Sequence, residues 1–364
     1  ATRRHTGGLF DTLGEEGSTS LGTCVQGAMP LFHHVLLTGD PALTEAAEKA
    51  LRAMRRFRVP RGAQVWEVHQ QIPDIRAAAL AVEAYRIGYL VTGDAAYLDD
   101  ARYWATAGLP FLYSWRTPEP SGPATVRTSR DRTGASKSGP LPAAELFREP
   151  RRQVNPYGTI PVLGTTFYVM SWFGVIVQWC GLEWAWKVLD LCDVRDDPLL
   201  RAAAEGVIRS GLQQTFDREP WTGLYPDVWN VEENWAGGAL ICPHLTVQSL
   251  RAAGRIPQEL RVWTRRAGPG RDAPIVHGWG SVTDFDATPE KITVSLRFLE
   301  NEPCEVLVAR SDRPRSVTAG GKELREVEVA SAGQEGWRFD PARRLLGIRF
   351  ISPVKEATVS IGHR

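Results

Sequence analysis

The sequence has no excess of charge of either sign and no long apolar run. Its 364 residues include 43 Lys and Arg against 42 Asp and Glu, which leaves a formal net charge of +1. This balance gives no reason to expect nucleic acid or an anionic membrane as a partner. No stretch approaches the roughly 18 to 20 apolar residues that a membrane-spanning helix requires. We therefore predict no nucleic-acid partner and no membrane partner.

Cysteine is scarce, and the common cofactor motifs are absent. The five cysteines are odd in number and show no Cys-x-x-Cys spacing or Cys/His pairing, so neither a disulfide framework nor a structural zinc site is expected. The chain also has no dinucleotide-binding glycine motif, phosphate-binding loop, zinc-protease motif or serine-hydrolase motif. The pairs Asp99-Asp100 and Asp196-Asp197 fall on predicted helix junctions, where capping is the simpler role. We predict no metal and no cofactor.

The N-terminal residues show neither a translation start nor the features of a signal peptide. It opens at Ala1 without an initiator methionine, a basic n-region or an apolar h-region. The sequence therefore indicates either that a leader has been removed or that the chain is a piece of a longer protein. Localisation is left open, with a secreted or periplasmic protein as one expectation.

A repeated segment sets the predicted fold. Its copies are Leu36–Leu43, Leu90–Tyr97 and, in a weaker form, Leu191–Pro198. Gly39 and Gly93, 54 residues apart, can adopt the left-handed conformation that ends a helix, and Asp40 and Asp94 can cap the next one. A period of about 50 residues holds two helices and two turns. The repeat therefore predicts helical hairpins.

Two long segments are expected to be buried helices, and a loop lies between them. The apolar spacing predicts helices over Ile72–Thr92 and Gly164–Asp190. The intervening stretch 116–161 is rich in Pro, Gly, Ser, Thr and Arg. Such a long segment without periodicity is interpreted either as disordered or as a functional loop over a site.

The C-terminal part of the sequence has the two-residue period of strands. Six runs alternate in this way, namely Lys291–Phe298, Cys304–Ala309, Leu324–Val329, Trp337–Phe339, Leu346–Phe350 and Ala357–Ile361. Six strands within about 90 residues predict a small β-sandwich. We predict an α/α-hairpin domain at 1–262, a linker around 254–270 and the sandwich at 271–364.

Helical hairpins followed by a β-sandwich resemble the six-hairpin glycosidase and α/α-toroid polysaccharide-lyase superfamilies. The likeness is carried by Trp66–Ile75, by Gly223–Asn230 with Asn234 and Ile241–His244, and by Trp337–Leu346. It implies a mainly α fold, a toroid-like ring with a C-terminal β-sandwich, and a carbohydrate substrate. A closed toroid needs six hairpins, but about four would fit here at the repeat period. The ring is therefore expected to be incomplete, or to be completed by a partner chain or a missing N-terminal segment.

The first candidate site segment precedes the helix at 72–92. Asp74 follows Pro73 in a first helical turn, where the helix dipole favours a carboxylate, so both capping and catalysis are open to it. His69 is a candidate catalytic residue on the loop before this helix. Trp66 and Glu67, on the same loop, are candidates for binding substrate.

The second candidate segment is a dense polar and aromatic cluster. It contains Tyr225, Asp227, Trp229, Asn230, Glu232, Glu233, Asn234 and Trp235. Glycoside hydrolysis needs two carboxyl groups roughly 5 to 9.5 Å apart. We expect them among Asp74, Asp227 and one of Glu232 or Glu233, with Trp229 stacking on the sugar. A solvated surface loop is the alternative interpretation.

Lyase chemistry would use other residues. A Tyr or His takes the proton beside a uronate carboxylate, and an amide or Arg neutralises that carboxylate. The candidates are His69, His244, Tyr157, Asn155, Asn234 and Arg152; of these, Arg152, Tyr157, Asn234 and His244 are also expected to bind substrate. We predict a glycoside hydrolase, and a polysaccharide lyase or a non-catalytic glycan-binding or scaffold protein remains as an alternative.

Overall fold

The computed structural model describes residues 17–65, 69–116, 159–164, 175–176, 178–213, 216, 220, 222, 224, 226, 228–230, 235–237, 243–252, 256–327 and 334–363. Helices dominate the described residues up to 252, and antiparallel strands form most of the described part from residue 262 onwards. This arrangement confirms a helical region followed by a β region.

Seven helices lie in the described part of the chain. They are α1 (Leu21–Thr38), α2 (Pro41–Met54), α3 (Ile75–Thr92), α4 (Ala96–Gly108), α5 (Gln178–Cys192), α6 (Pro198–Gln213) and α7 (Pro243–Ala252). The first six form three pairs, each joined at one of the predicted junctions. The ring of six hairpins that defines a complete toroid is not seen among these residues. None of these helices has the length and apolar character needed to cross a membrane.

The helix junctions have the predicted local structure. Gly39 and Gly93 have φ angles of +67° and +76°, a region that side chains with a Cβ disfavour. The carboxylates of Asp40 and Asp94 each accept a hydrogen bond at 2.9 Å from the backbone N–H two residues further on. Asp197 caps α6 in a similar way, at 3.2 Å. Short-range signals therefore predicted these turns correctly.

The predicted helix over 164–190 is wrong in its first part. Val175–Ile176 forms a short strand, β3, and α5 begins at Gln178. An apolar run has no helical period that separates it from a buried strand, and the two β-branched residues favour the strand. From Gln178 onwards the helix is buried as predicted, with Trp184 fully enclosed.

The ends of the long loop are paired. Strand β1 (Leu112–Arg116) runs antiparallel to β2 (Thr159–Gly164), and Arg116 lies opposite Thr159. Strand β2 packs against α5 and α6. The predicted loop at 116–161 is therefore closed at its base, while residues 117–158 lie outside the described part.

The C-terminal region contains two five-stranded antiparallel sheets. The strands are β6 (Val262–Arg266), β7 (Ile275–Trp279), β8 (Ser281–Ala287), β9 (Lys291–Arg297), β10 (Pro303–Ala309), β11 (Ser316–Ala319), β12 (Lys322–Glu323), β13 (Gly336–Asp340), β14 (Leu345–Ile351) and β15 (Glu356–Gly362). One sheet, the groove sheet, has the order β13-β14-β10-β7-β6, and the other has β12-β11-β15-β9-β8. One apolar core contains buried side chains from both sheets, including Val306, Ile348 and Val294.

Five of these strands were not predicted from the sequence, namely β6, β7, β8, β11 and β12, and β6 lies in the stretch predicted as a linker. The strand predicted at Leu324–Val329 is wrong over 324–327, where Glu326 makes only an isolated bridge to Trp337. Strand β7 lacks alternation because residues on both of its faces are buried, including His277. A two-residue period cannot detect a strand of that kind.

The chain forms two compact units from discontinuous segments. The helical unit consists of Ala1–Gly27, Met54–Glu83 and Leu98–Arg255, and the sandwich unit consists of Ala28–Ala53, Ala84–Tyr97 and Ile256–Arg364. The sandwich unit thus combines the two sheets with parts of α1, α2 and α3. The domain ranges 1–262 and 271–364 stay a prediction.

Candidate functional site

The predicted site residues divide sharply between described and undescribed parts of the chain. Asp74 and His69 are described with their side chains, at the N-terminal end of α3. The backbone of Trp229 lies in strand β4 (Val228–Asn230), and that of His244 lies in helix α7. The others lie outside the described residues, namely Trp66, Glu67, Arg152, Asn155, Tyr157, Asp227, Glu232, Glu233 and Asn234.

Asp74 caps α3 and has no exposed surface. Its Oδ1 accepts hydrogen bonds from the backbone N–H of Arg76 at 2.8 Å and from the Gln64 amide at 3.2 Å, and its Oδ2 accepts one from the backbone N–H of Ala63 at 3.0 Å. Burial raises the pKa of Asp74, and the hydrogen bond from Gln64 opposes that shift. The capping interpretation is confirmed. Because both oxygens are bonded and shielded, the geometry favours positioning over direct contact with a substrate.

An ion pair joins the first turn of α3 to the second turn of α5. The Nε of Arg76 lies 2.8 Å from Oε2 of Glu183, and Nη1 of Arg76 donates to the carbonyl of Ala63 at 2.8 Å. The guanidinium lies 5.4 Å from the centre of the Trp179 ring. Burial lowers the pKa of Arg76, but Glu183, Cys180 and Asp74 together outweigh it, with Glu183 contributing most, and hold that pKa above its usual value. The side chains keep 19% and 15% exposure, so a ligand can reach the edge of this pair.

A second ion pair links the same helices. The Nζ of Lys187 lies 2.7 Å from Oε2 of Glu83, and both side chains are nearly buried. The ammonium also lies 4.1 Å from the centre of the Trp186 ring. From the first ion pair to the second, the residue numbers increase along both helices, from Arg76 to Glu83 and from Glu183 to Lys187. Helices α3 and α5 are therefore parallel, and their N-terminal ends lie at the same end of the pair. Neither ion pair was predicted from the sequence, although a charged residue within an apolar helix indicates a buried partner.

The loop before α3 is fixed by polar contacts to the start of α1. The amide of Gln26 donates to the carbonyl of Ala63 at 2.6 Å, and the amide of Gln70 donates to the hydroxyl of Ser18. Gly62 has φ of +74°, and a Cβ placed there would lie 2.1 Å from Oγ of Ser20. Amides and hydroxyls are therefore concentrated where α1, α3 and this loop meet.

His69 lies half-buried on this loop. Its Nδ1 accepts a hydrogen bond from the backbone N–H of Gln71 at 3.2 Å. In the neutral ring, Nε2 therefore carries the proton. In this tautomer Nε2 is a donor, which suits contact with a substrate hydroxyl.

The second candidate segment forms a hairpin beside strand β3. Strand β4 (Val228–Asn230) pairs with β5 (Trp235–Gly237), and Ile176 of β3 lies opposite Trp229 of β4. Strand β3 ends two residues before α5 begins. Because β3 pairs with β4 and leads into α5, the strand that contains Trp229 lies next to the N-terminal end of α5. Glu232, Glu233 and Asn234 belong to the chain segment between β4 and β5.

The remaining candidate with a described backbone is His244. It is the second residue of α7, which packs against α5 and α6. Among the described residues, no group of three or more His, Cys, Asp and Glu side chains is placed to hold a metal ion.

Comparison with known proteins gives distant structural matches. No family model and no curated protein matches the chain. Cellobiose 2-epimerase from Bacillus thermoamylovorans is 16% identical over 64% of this chain and 55% of that chain, with a TM-score of 0.37. The GH127 β-L-arabinofuranosidase from Geobacillus stearothermophilus is 10% identical over 96% of this chain and 73% of that chain, with a TM-score of 0.27.

A GH31 dextranase from Flavobacterium johnsoniae also matches. It is 17% identical over 28% of this chain and 14% of that chain, with a TM-score of 0.20, and its structures hold isomaltotriose or glucose. The chain thus spans well under two thirds of the length of the dextranase. All three named proteins act on sugars, but these similarities are too low to carry a functional argument.

Proposed function

We propose that this protein is a carbohydrate-active enzyme, a glycoside hydrolase whose site lies at the N-terminal ends of α3 and α5. The observation that carries the proposal is the contact between Arg76 and Glu183. It joins the helix that follows the first candidate segment to the helix that follows β3, the partner strand of the second. Two segments that are more than 150 residues apart in the chain can therefore contribute to one site.

The described groups near this contact suit a sugar. The Trp179 ring offers an apolar face, and the exposed edge of the Arg76–Glu183 pair offers hydrogen-bonding groups. Ligand sites commonly combine aromatic walls with a few fixed polar groups in this way. The carboxylates of Glu83 and Glu183 are already held in ion pairs, however. The reacting carboxylates must therefore come from other residues.

The proposed reacting groups are Asp227 and one of Glu232 and Glu233. One carboxylic acid protonates the leaving oxygen, and the other carboxylate attacks the sugar or activates water. Asp74 fixes the loop on which Trp66, Glu67 and His69 lie. Trp66 and Trp229 stack on the sugar, and the remaining polar candidates bind hydroxyl or carboxyl groups, namely Glu67, His69, Arg152, Tyr157, Asn234 and His244.

The test is turnover of a glycan panel by the wild type and by Asp227→Asn, Glu232→Gln and Glu233→Gln. We expect release of reducing ends from at least one glycan, and a loss of at least 100-fold in kcat for Asp227→Asn and for one of the Glu variants. The melting temperature should stay unchanged. Glu205→Gln, an exposed surface residue on α6, is the matched control and should keep full activity.

The same panel separates the other functions. Full activity in a folded Asp227→Asn variant would refute the assignment of that residue. New ultraviolet absorbance from an unsaturated uronate would indicate a lyase. Interconversion of sugar epimers without new reducing ends would indicate an epimerase, and binding without any turnover would indicate a glycan-binding protein.

A further inference from the structure

An open groove lies on the outer face of the groove sheet, within the sandwich unit. Its volume is about 550 Å³, and it is lined by residues of β6, β7, β10, β13 and β14. Alternate residues of these strands, such as Val306 and Ile348, point into the sandwich core. The residues between them, such as Glu305 and Arg349, form the groove surface.

One wall of the groove is an exposed indole on a fixed backbone. Trp279 is 44% exposed and lies opposite Val262, which is 56% exposed. The carbonyl oxygen of Trp279 accepts hydrogen bonds from Nε1 of Trp263 at 3.2 Å and from Sγ of Cys304 at 3.6 Å. The backbone is therefore anchored from the core side, while a large apolar ring faces solvent. Exposing a tryptophan in this way forgoes the favourable burial of its surface.

The floor of the groove is open at a glycine. Gly347, in the middle of β14, lies between Leu307 and Arg338 on the neighbouring strands. A Cβ placed on Gly347 would meet no atom within 4 Å. Because glycine weakens a strand interior, its presence there is typical of a place where another molecule approaches the backbone closely.

The groove also has a cationic side chain that is not matched internally. The side chain of Arg338 is exposed and makes no hydrogen bond or ion pair within the described part of the chain. The Nη1 of Arg349 lies 3.8 Å from Glu305 and its Nε is buried. Arg343 is paired with Asp340 at 3.1 Å. Arg338 thus retains its donors for an anion, and Arg–carboxylate pairing is among the strongest polar contacts.

We infer that this groove is a second glycan-binding site and takes an acidic oligosaccharide. A sugar ring lies on Trp279, and the carboxylate of a uronic acid residue pairs with Arg338. Trp279 and Arg338 are three strand spacings apart across the sheet and two residues apart along the strand direction, a separation of roughly 16 Å, which is the reach of a short oligosaccharide and not of one free sugar. The ligand class rests on the proposed function, whereas the positive charge and the aromatic wall are properties of the groove itself.

The test is titration of the full chain with tetragalacturonate, followed by calorimetry and tryptophan fluorescence. Cellotetraose serves as the neutral sugar probe, and tetraglutamate as the acidic probe without sugar rings. We expect binding of tetragalacturonate alone, weakening as salt is added. Arg338→Gln and Trp279→Ala should each raise Kd about tenfold, which corresponds to ~1.4 kcal/mol. Arg297→Gln, an exposed arginine on the other sheet, should leave Kd unchanged.

The outcomes separate this inference from the proposed function. No binding by the folded wild type, or equal Kd values in Arg338→Gln, Trp279→Ala and the wild type, would overturn the groove assignment. Equal binding of tetraglutamate would indicate an acidic peptide and overturn the sugar assignment. Turnover of the glycan panel is measured on the same variants. Binding in the groove without turnover by the wild type would count against the proposed function alone.

Discussion

The two ends of helix α3 are closed by groups of opposite charge. At the N-terminal end the Asp74 carboxylate accepts the backbone N–H of Arg76. At the C-terminal end Arg266 donates to the carbonyls of Leu90 and Val91 at 2.9 and 3.1 Å, and Arg310 donates to that of Val91 at 2.6 Å. Each charge suits the backbone dipole at its own end, which is positive at the N-terminus and negative at the C-terminus.

The ends differ in what they leave available. Arg310 also donates to the carbonyls of Gly39 and Arg271, at 3.1 and 2.7 Å, and is almost fully buried. Its donors are used on the protein itself. Beside the N-terminal end of α3, the pair Arg76 and Glu183 keeps an exposed edge. The C-terminal end is therefore expected to contribute mainly to stability, whereas the proposed site lies at the N-terminal end.

The largest expected effect on stability follows loss of Arg310. Arg310→Met leaves the buried carbonyl of Gly39 without its donor and removes the hydrogen bonds to the carbonyls of Val91 and Arg271 and to the hydroxyl of Thr44. Each unsatisfied buried group costs about 1 to 3 kcal/mol, so we expect about 3 kcal/mol or more to be lost from the free energy of unfolding in urea. Arg313→Met is the matched control, because Arg313 is 59% exposed and pairs with Glu326 on the surface. A loss no greater than that of the control would contradict the role of Arg310.

The next largest effect is a pH dependence of the free energy of unfolding, which arises from His277 at the C-terminal end of α1. His277 donates through Nε2 to the carbonyl of Leu36 at 2.9 Å, and burial lowers the pKa of His277 from 6.5 to about 4. Its contribution to stability is therefore complete above pH 6.5 and is lost as the pH falls towards 4. The difference corresponds to ~3 kcal/mol at most. His277→Gln should remove this part of the pH dependence in urea titrations, whereas the exposed His34→Gln should retain it.

A smaller effect of opposite sign is expected at Asp74. Burial raises the pKa of Asp74 above 3.8, so its favourable contribution is complete below pH 3.8 and is lost as the pH rises through the folded-state pKa. Asp74→Asn removes this titration and places an amide against the Ala63 N–H, at a cost of about 1 kcal/mol. As the pH falls from 7 to 4, the wild type should gain stability relative to Asp74→Asn. Asp94→Asn, at an exposed cap, should show no such trend, and a parallel trend in both variants would refute the assignment.

Local signals in the sequence were enough for the helix junctions and for one feature of the site. Gly39 with Asp40 and Gly93 with Asp94 predicted the turns because a left-handed glycine and a cap act over a few residues. Pro73 before Asp74 indicated a helix start for the same reason. Strict alternation likewise predicted strands such as β9 and β15.

The features that the sequence analysis missed depend on distant contacts. Arg76 meets Glu183 across 107 residues, and Arg310 meets Gly39 across 271. No local pattern selects these partners among 43 basic and 42 acidic residues. The candidate carboxylates were proposed from the composition of a segment, and composition alone does not specify distances between side chains.

The most direct test of the central claim is a double-mutant cycle on Arg76→Met and Glu183→Gln, read as kcat, KM and melting temperature. If the pair positions the site, each single variant should lower kcat at least tenfold at a temperature where all variants are folded, and the double variant should be no worse than either one. The pH profile of kcat should also change, which a purely structural contact would not produce. Unchanged kcat in folded single variants, or losses that follow only the fraction of folded protein, would contradict the claim.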